Sequence, residues 1–131
     1  MIHAPELKNP QHELSAEYYL KPKKLYLPFS QHTGRPSIPC IKKTDTVEEG
    51  QIIAKADGYI SSFLHAPKSG KIINIDTFAH PVLKRAEAVF LDCIDNEKKF
   101  PQVNDPLDLP KEKILSLLDK SGIVGMGGAS F

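Results

Sequence analysis

The feature that most constrains the fold of this chain is the alternation of short apolar runs with turn residues between residues 47 and 75. The apolar run at residues 51–54 is followed by Asp57-Gly58, and a second run begins at Tyr59-Ile60. An Asp-Gly pair between apolar runs predicts a tight β-hairpin, because glycine adopts the positive φ that such a turn requires. The stretch therefore predicts antiparallel strands on either side of a hairpin tip.

A second turn and a return strand complete this stretch. Residues 66–70 contain Pro67, which donates no ladder hydrogen bond and therefore belongs at a bend or at the start of a strand. Residues 71–75 leave the turn as another apolar run. The same signals predict strands at residues 25–27, 37–41 and 88–91, a turn at residues 42–46 and a hairpin loop at residues 76–86.

These runs resemble the biotinyl/lipoyl-type barrel-sandwich hybrid, in which a strand, a hairpin tip and an Ala-Pro return strand close a small flattened barrel. Active members of that family attach their prosthetic group to a lysine at the tip. Tyr59 stands at the corresponding position here, and Lys55 lies before the turn, on the preceding strand. Because tyrosine has no amine to acylate, the resemblance implies the scaffold of a carrier domain without its chemistry.

Charge and hydropathy exclude several classes of partner. The 17 basic and 16 acidic residues leave a net charge of +1, so no bulk field attracts nucleic acid or anionic lipid. No apolar run approaches the roughly 20 residues of a membrane-spanning helix, and no signal peptide begins the chain. We therefore expect no nucleic-acid partner and no direct insertion into a membrane.

The side chains that could bind metals or act as bases are scattered. Cys40 and Cys93 alone cannot hold an iron–sulfur cluster, which takes about four thiolates. A disulfide between them stays open, although two reduced, partly buried thiols in a cytosolic protein are the favoured interpretation. His32 is a candidate ligand or general base, but no ligand-type side chain stands at metal spacing beside it, which favours a turn-capping role. His65 and His80 are interpreted as structural, so the sequence predicts neither a catalytic residue nor a metal site.

Prolines and changes in composition divide the chain into four parts. Residues 1–28 are predicted to form an extended arm that wraps the barrel, and residues 29–97 the barrel itself. Residues 98–110 form a polar linker that contains three prolines. Residues 111–131 begin with a helix and end in a glycine-rich run.

A single helix is predicted from Pro110 or Lys111 to about Lys120. Proline suits the first helical turn, and Gly122 stands where a left-handed C-cap would follow. The predicted apolar stripe consists of Ile114, Leu117 and Leu118. A helix of about ten residues is marginal in water by itself, so the stripe needs a packing partner. Without a partner, we expect weak dimerisation or disorder of this helix.

Four motifs in a fixed order carry a second resemblance. They are the opening Ile2-His3-Ala4-Pro5-Glu6, the segment from Leu27 to Pro36, the barrel stretch and the run from Gly122 to Phe131. In this order they are similar to the RnfC subunit of the Rnf electron transport complex, whose middle part resembles the flavin-binding subunit of respiratory complex I. The chain covers only the front part of that family. Three residues depart from the family pattern: Met1, Ala4 and Ser130.

The resemblance implies an electron-input subunit of a membrane-bound ferredoxin:NAD oxidoreductase that pumps ions. In the full-length family, FMN and NADH bind in the α/β domain that begins at the glycine loop, and two 4Fe-4S clusters use cysteines near the C-terminus. Gly125, Gly127 and Gly128 match cofactor-contacting positions. We therefore expect a fragment that binds no cofactor by itself: a mostly β barrel-sandwich hybrid with an extended N-terminal arm and one C-terminal helix, which begins a truncated flavin domain.

The role implied for this fragment is that of a non-catalytic docking module. Its partners would be the downstream flavin domain and other subunits of the complex, which would hold it on the cytoplasmic, inner face of the cell membrane. Two alternatives stay open: a biotin- or lipoate-type carrier, and a free-standing scaffold domain of a soluble reductase system. The absence of a tip lysine argues against the carrier.

Overall fold

The computed structural model describes residues 21–95 and 109–125. Most of the predicted arm, nearly all of the predicted linker and residues 126–131 lie outside this range, so the predicted domain boundaries stay predictions. The strands are β1 (Lys24–Pro28), β2 (Ile38–Pro39), β3 (Thr46–Val47), β4 (Ile52–Lys55), β5 (Leu64–His65), β6 (Gly70–His80) and β7 (Lys84–Cys93), and the helix is α1 (Lys111–Lys120). The expected mostly β fold with a C-terminal helix is confirmed.

The strands form two antiparallel sheets. One sheet has four strands in the order β1-β7-β6-β3, and the other has three in the order β2-β4-β5. The long hairpin of β6 and β7 is paired from Gly70–Cys93 to His80–Lys84, and β1 lies along the outer side of β7. Because the early strands alternate between the two sheets, the chain crosses repeatedly from one sheet to the other and closes them into one sandwich.

The hydrophobic core lies between the two sheets. Val89 and Leu91 of β7 are completely buried, and Leu25 and Leu27 of β1 pack against the same cluster. This spacing of two residues is that of strands with one buried face. Burying a side chain of this size contributes about 1.5–3 kcal/mol relative to leaving it exposed. The largest fully buried side chains are Phe29, Val47, Ile53, Ile72, Val89 and Leu91.

The helix begins and ends where the sequence predicts. Pro110 is the N-cap residue, and Gly122 follows the helix with a φ of 68°, the left-handed conformation that ends many helices. None of the residues of α1 is buried. Leu117 and Leu118 are 51% and 55% exposed, so the apolar stripe of the helix is largely open to solvent.

The predicted hairpin tip at Gly58 is wider than the sequence indicates. Gly58 has the expected positive φ, 86°, but the next strand begins at Leu64, so the prediction of a strand starting at Tyr59 is wrong. The reason is competition for backbone groups. The Ile60 carbonyl accepts a hydrogen bond of 3.1 Å from the Arg35 N–H, which engages this segment with another loop instead of with a neighbouring strand.

The hairpin loop predicted at residues 76–86 is also wrong. The two strands continue to His80 and restart at Lys84, so the connection is only residues 81–83. His80 stabilises this short turn, because its Nδ1 accepts hydrogen bonds from the N–H groups of Val82 and Leu83 at 3.2 and 3.0 Å. Its role is structural, as the sequence predicts. Polar residues in this segment hide a strand that has one face exposed.

Aromatic side chains cover the outer face of the four-stranded sheet. The Tyr26 ring stacks on the Phe90 ring of the paired strand with centroids 4.6 Å apart, and meets the Phe78 ring edge-on at 4.9 Å. Lys24 places its ammonium group 5.7 Å from the Phe90 centroid. Such aromatic pairs contribute about 0.5–1.5 kcal/mol beyond their buried area, and this helps to explain why β6 and β7 are so long.

Candidate functional site

The loop between β4 and β5 occupies the position where carrier domains hold their prosthetic group. Tyr59 lies in this loop and is 99% exposed, more than any other large apolar or aromatic residue described. Lys55 is the last residue of β4 and lies on the strand, as the sequence predicts. The loop therefore presents a phenol rather than an amine.

A second loop, residues 31–36, packs against this one, and we call the contact between residues 31–36 and 58–62 the loop clamp. Gly34 is its closest point. Its φ is 108°, and a methyl group built on it would overlap the Ile60 carbonyl oxygen and lie 2.5 Å from Ile60 Cγ2. Only glycine satisfies both the backbone conformation and the space.

His32 joins the two loops through its Nε2 atom. The Ser62 N–H donates to Nε2 over 3.1 Å, so Nε2 acts as an acceptor and the proton of the neutral imidazole lies on Nδ1. Nδ1 is buried and has no hydrogen-bond partner among the residues that the structure describes. The turn-capping role predicted for His32 is thus too narrow, because the ring connects residues 30 positions apart.

Ser61 and His32 resemble a nucleophile and base in distance only. Ser61 Oγ lies 3.3 Å from His32 Nε2, but its hydroxyl donates to the Arg35 carbonyl oxygen at 3.0 Å. Because the N–H of Ser62 already occupies the lone pair of Nε2, the imidazole cannot accept the hydroxyl proton of Ser61. The pair therefore holds the loops in place and has the wrong hydrogen bonding for nucleophilic catalysis.

Two further contacts complete the loop clamp. Ser37 is buried, and its Oγ donates a 2.7 Å hydrogen bond to the Ser62 carbonyl oxygen. At the surface, Arg35 and Asp57 form an ion pair at 3.5 Å, with their side chains 74% and 36% exposed. The buried hydrogen bond contributes more to stability than this screened surface pair, for which about 0–1 kcal/mol is typical.

The two cysteines are free thiols. Cys40 is exposed, so the prediction of partial burial is wrong for this residue, whereas Cys93 is half-buried. Burial raises the pKa of the Cys93 thiol above its ordinary value; Lys68 opposes this shift of the pKa, and Asp92 and Asp95 reinforce it. A raised pKa keeps the thiol protonated, which disfavours reactivity.

The glycines predicted to contact a cofactor lie at the end of the chain. Gly125 is exposed and follows α1 without regular structure, and Gly127 and Gly128 lie outside the described residues. Gly122 packs against β5: a methyl group there would overlap the Phe63 carbonyl oxygen and lie 3.3 Å from the His65 ring. His65 thus lies beside the end of the helix, in the structural role that the sequence predicts.

Two kinds of site are missing from the described segments. In residues 21–95 and 109–125, no group of three or more His, Cys, Asp or Glu side chains is arranged to hold a metal ion. Over the same residues, α1 is too short and too polar to cross a lipid bilayer.

Sequence reasoning missed the loop clamp. His32 and Gly34 appear in the sequence only as parts of a polar turn, and Ser61 and Ser62 as parts of a strand. Neither segment has a period or a spacing that refers to the other. The one local signal is the glycine at position 34, which indicates either a turn or a close approach without saying what approaches it.

Comparisons with known proteins agree with this fold. The sequence model of a family described as the RnfC barrel sandwich hybrid domain matches residues 2–97, which confirms the expected barrel-sandwich hybrid. Two relatives are the RnfC-type subunits of a proton-translocating ferredoxin:NAD(+) oxidoreductase complex from Clostridium ljungdahlii, 34% identical over 84% of the chain, and of the Na(+)-translocating complex from Acetobacterium woodii, 34% identical over 99%. A third, the corresponding subunit of an ion-translocating oxidoreductase complex from Rhodobacter capsulatus, is 36% identical over 99% of the chain.

The chain is much shorter than these relatives. It spans 25% of the length of the Clostridium ljungdahlii protein, 30% of the Acetobacterium woodii protein and 26% of the Rhodobacter capsulatus protein. The domain match and the three relatives nevertheless agree on one family. The chain belongs to the RnfC family of Rnf complex subunits, and it carries the barrel sandwich hybrid domain of the N-terminal part of RnfC.

Proposed function

We propose that this chain is a non-catalytic docking module of an electron-input subunit in a membrane-bound ferredoxin:NAD oxidoreductase. The observation that carries the proposal is the pattern of matches: the barrel domain covers residues 2–97, and the relatives over 99% of the chain are subunits of ion-translocating oxidoreductase complexes. As such a module, the chain associates with other subunits of the complex and reaches the membrane surface through them.

The chemistry of the described residues supports a docking role. The loop that carries the prosthetic group in carrier domains here carries Tyr59, and the histidine beside it uses its accepting nitrogen to hold a backbone N–H. In the parts of the chain that the structure describes, no metal-binding cluster is present. What the loops offer is a rigid surface, and a rigid surface serves recognition.

The C-terminal helix supports a further domain in the longer relatives. It begins after residue 97, where the barrel match ends, while the Acetobacterium woodii relative aligns with 99% of the chain. Its open apolar stripe is suited to pack on such a domain. In this proposal residues 111–131 begin a flavin domain, in which Gly125, Gly127 and Gly128 contact FMN once the rest of that domain is present, and NADH and two 4Fe-4S clusters bind elsewhere in the full-length protein.

Co-purification tests the docking role. The affinity-tagged chain is produced together with the remaining subunits of an Rnf-type complex, and the purified material is analysed by mass spectrometry. We expect those subunits to co-purify in defined stoichiometry. A chain that elutes alone under low-salt and physiological-salt conditions would contradict the proposal.

A flavin titration tests the division of labour between the barrel and the downstream domain. FMN fluorescence is followed while this chain, or the full-length RnfC protein from Clostridium ljungdahlii, is added. We expect quenching by the full-length protein and none by this chain, and no effect of Gly125→Ala in the short chain. Saturable quenching by the short chain would place a flavin site within these residues and refute the non-catalytic assignment. Intact mass measured on the same sample excludes a carrier if no prosthetic group is attached.

A further inference from the structure

The loop clamp fixes the backbone on both sides of one exposed side chain. Tyr59 is preceded by Gly58, whose φ of 86° is left-handed, and followed by Ile60, whose carbonyl oxygen accepts the Arg35 N–H. Two residues further on, Ser62 is 8% exposed and bonded through both its N–H and its carbonyl oxygen. A buried hydrogen-bond network therefore supports a loop whose outermost side chain touches almost nothing.

We propose that Tyr59 is the anchor by which the barrel docks on another protein subunit, inserting into an uncharged apolar pocket with a hydrogen-bonding group for the phenol hydroxyl. The inference deepens the proposed docking function and rests on it. It names the side chain that docks and the chemistry of the surface that receives it.

The energetic argument is one of pre-organisation. Tyrosine supplies a large contact area with few rotatable bonds, and such side chains dominate the energy of protein interfaces. Binding through a mobile loop would cost the conformational entropy of ordering that loop. Here the Gly34–Ile60 contact and the His32–Ser62 hydrogen bond have already ordered it, so most of the contact energy of Tyr59 is available for affinity.

The charges around the tip indicate the kind of partner. The Arg35 guanidinium is paired with the Asp57 carboxylate, which leaves Lys55 as the one cation in excess on β4 and the two loops of the clamp. A phosphate-rich surface, whether nucleic acid or anionic lipid, is held by several cations acting together. Beside Tyr59 stands Ile60, which is 40% exposed. An apolar side chain and a phenol with nearly balanced charges fit a neutral pocket on a protein.

Affinity for the rest of the complex tests this inference. An Rnf-type complex lacking its own RnfC protein is immobilised, and the binding of the full 131-residue chain is measured by biolayer interferometry. We expect Tyr59→Ser to weaken binding by about 30-fold or more, as for an interface hot spot. Tyr59→Phe should lose much less, because it keeps the ring.

The matched control is Val82→Ser. Val82 is 81% exposed in the β6–β7 turn, so it resembles Tyr59 in exposure but lies in a different loop. We expect it to change the affinity by less than about 3-fold, and both serine variants to keep the unfolding midpoint of the parent chain, since neither side chain is buried.

The outcomes separate the two proposals. If the parent chain binds and Tyr59→Ser binds equally well, the anchor inference is wrong and the docking function stands. If the parent chain fails to bind, both are wrong. A photo-crosslinking residue at position 59 provides a second readout: attachment to a subunit of the complex supports the anchor, and attachment to a second copy of this chain overturns it.

Discussion

Substituting Gly34 by alanine should destabilise the barrel more than the same change at either of two matched glycines. Gly50 has a φ of 82° and open space around it, so Gly50→Ala introduces backbone strain alone, at about 1–2 kcal/mol. Gly70 lacks a positive φ, but a methyl group there would overlap the Asp92 carbonyl oxygen, so Gly70→Ala introduces a steric clash alone, at about 1–3 kcal/mol. Gly34→Ala combines both effects.

The expected loss for Gly34→Ala is about 2–5 kcal/mol, a large part of the 5–15 kcal/mol that holds a typical domain folded. The clash cannot be relieved by a side-chain rotation, since the atom it meets is the Ile60 carbonyl oxygen, which accepts the Arg35 N–H. Moving this carbonyl away would break that hydrogen bond and displace the loop that carries Tyr59.

Urea unfolding followed by far-ultraviolet circular dichroism provides the measurement, because the chain has no tryptophan to report by fluorescence. The three variants and the parent are compared by linear extrapolation, with equal m-values required. We expect Gly34→Ala to exceed each control by about 1–3 kcal/mol. A loss for Gly34→Ala no larger than that for Gly50→Ala would show that the two loops are not in close contact, and the loop clamp would have to be abandoned.

Two further predictions concern buried polar groups. Ser37→Ala should cost about 1–3 kcal/mol in urea unfolding, because it leaves the Ser62 carbonyl oxygen without its 2.7 Å partner; a loss below about 0.5 kcal/mol, the usual size of a surface change, would contradict this. The raised pKa of Cys93 implies that its stabilising effect is complete below the ordinary thiol value of 9.0 and is lost as the pH rises through the folded-state pKa. The free energy of unfolding should therefore fall more steeply above pH 9.0 in the parent chain than in Cys93→Ala, and equal slopes would show that the folded environment does not disfavour the thiolate.

The secondary structure that depends on local patterns was predictable from the sequence. The strand at residues 25–27 follows from the alternation of apolar side chains, and α1 follows from a proline at its start, a three-and-four spacing of apolar residues and a glycine after its end. These signals involve residues within one turn or a few strand positions of each other. A single segment carries all the information needed.

The errors arose where contacts between distant segments decide the outcome. The segment after Gly58 has the composition of a strand, but Arg35 and His32 engage its backbone groups, so it forms a loop. Residues 76–80 have the composition of a loop, yet pairing with β7 and the ring stack around Tyr26 keep them extended. In both cases the local preference was weaker than the free energy of tertiary hydrogen bonding and packing.

The candidate site shows the same division. The sequence by itself determined that a tyrosine, and not a lysine, stands at the tip of the barrel loop, and thereby that this loop has no amine for a prosthetic group. Only the tertiary structure decided that the loop is held rigid, since the contacts that hold it join residues 25–30 positions apart. No period or motif encodes such a contact, because it depends on how two sheets place their connecting loops side by side.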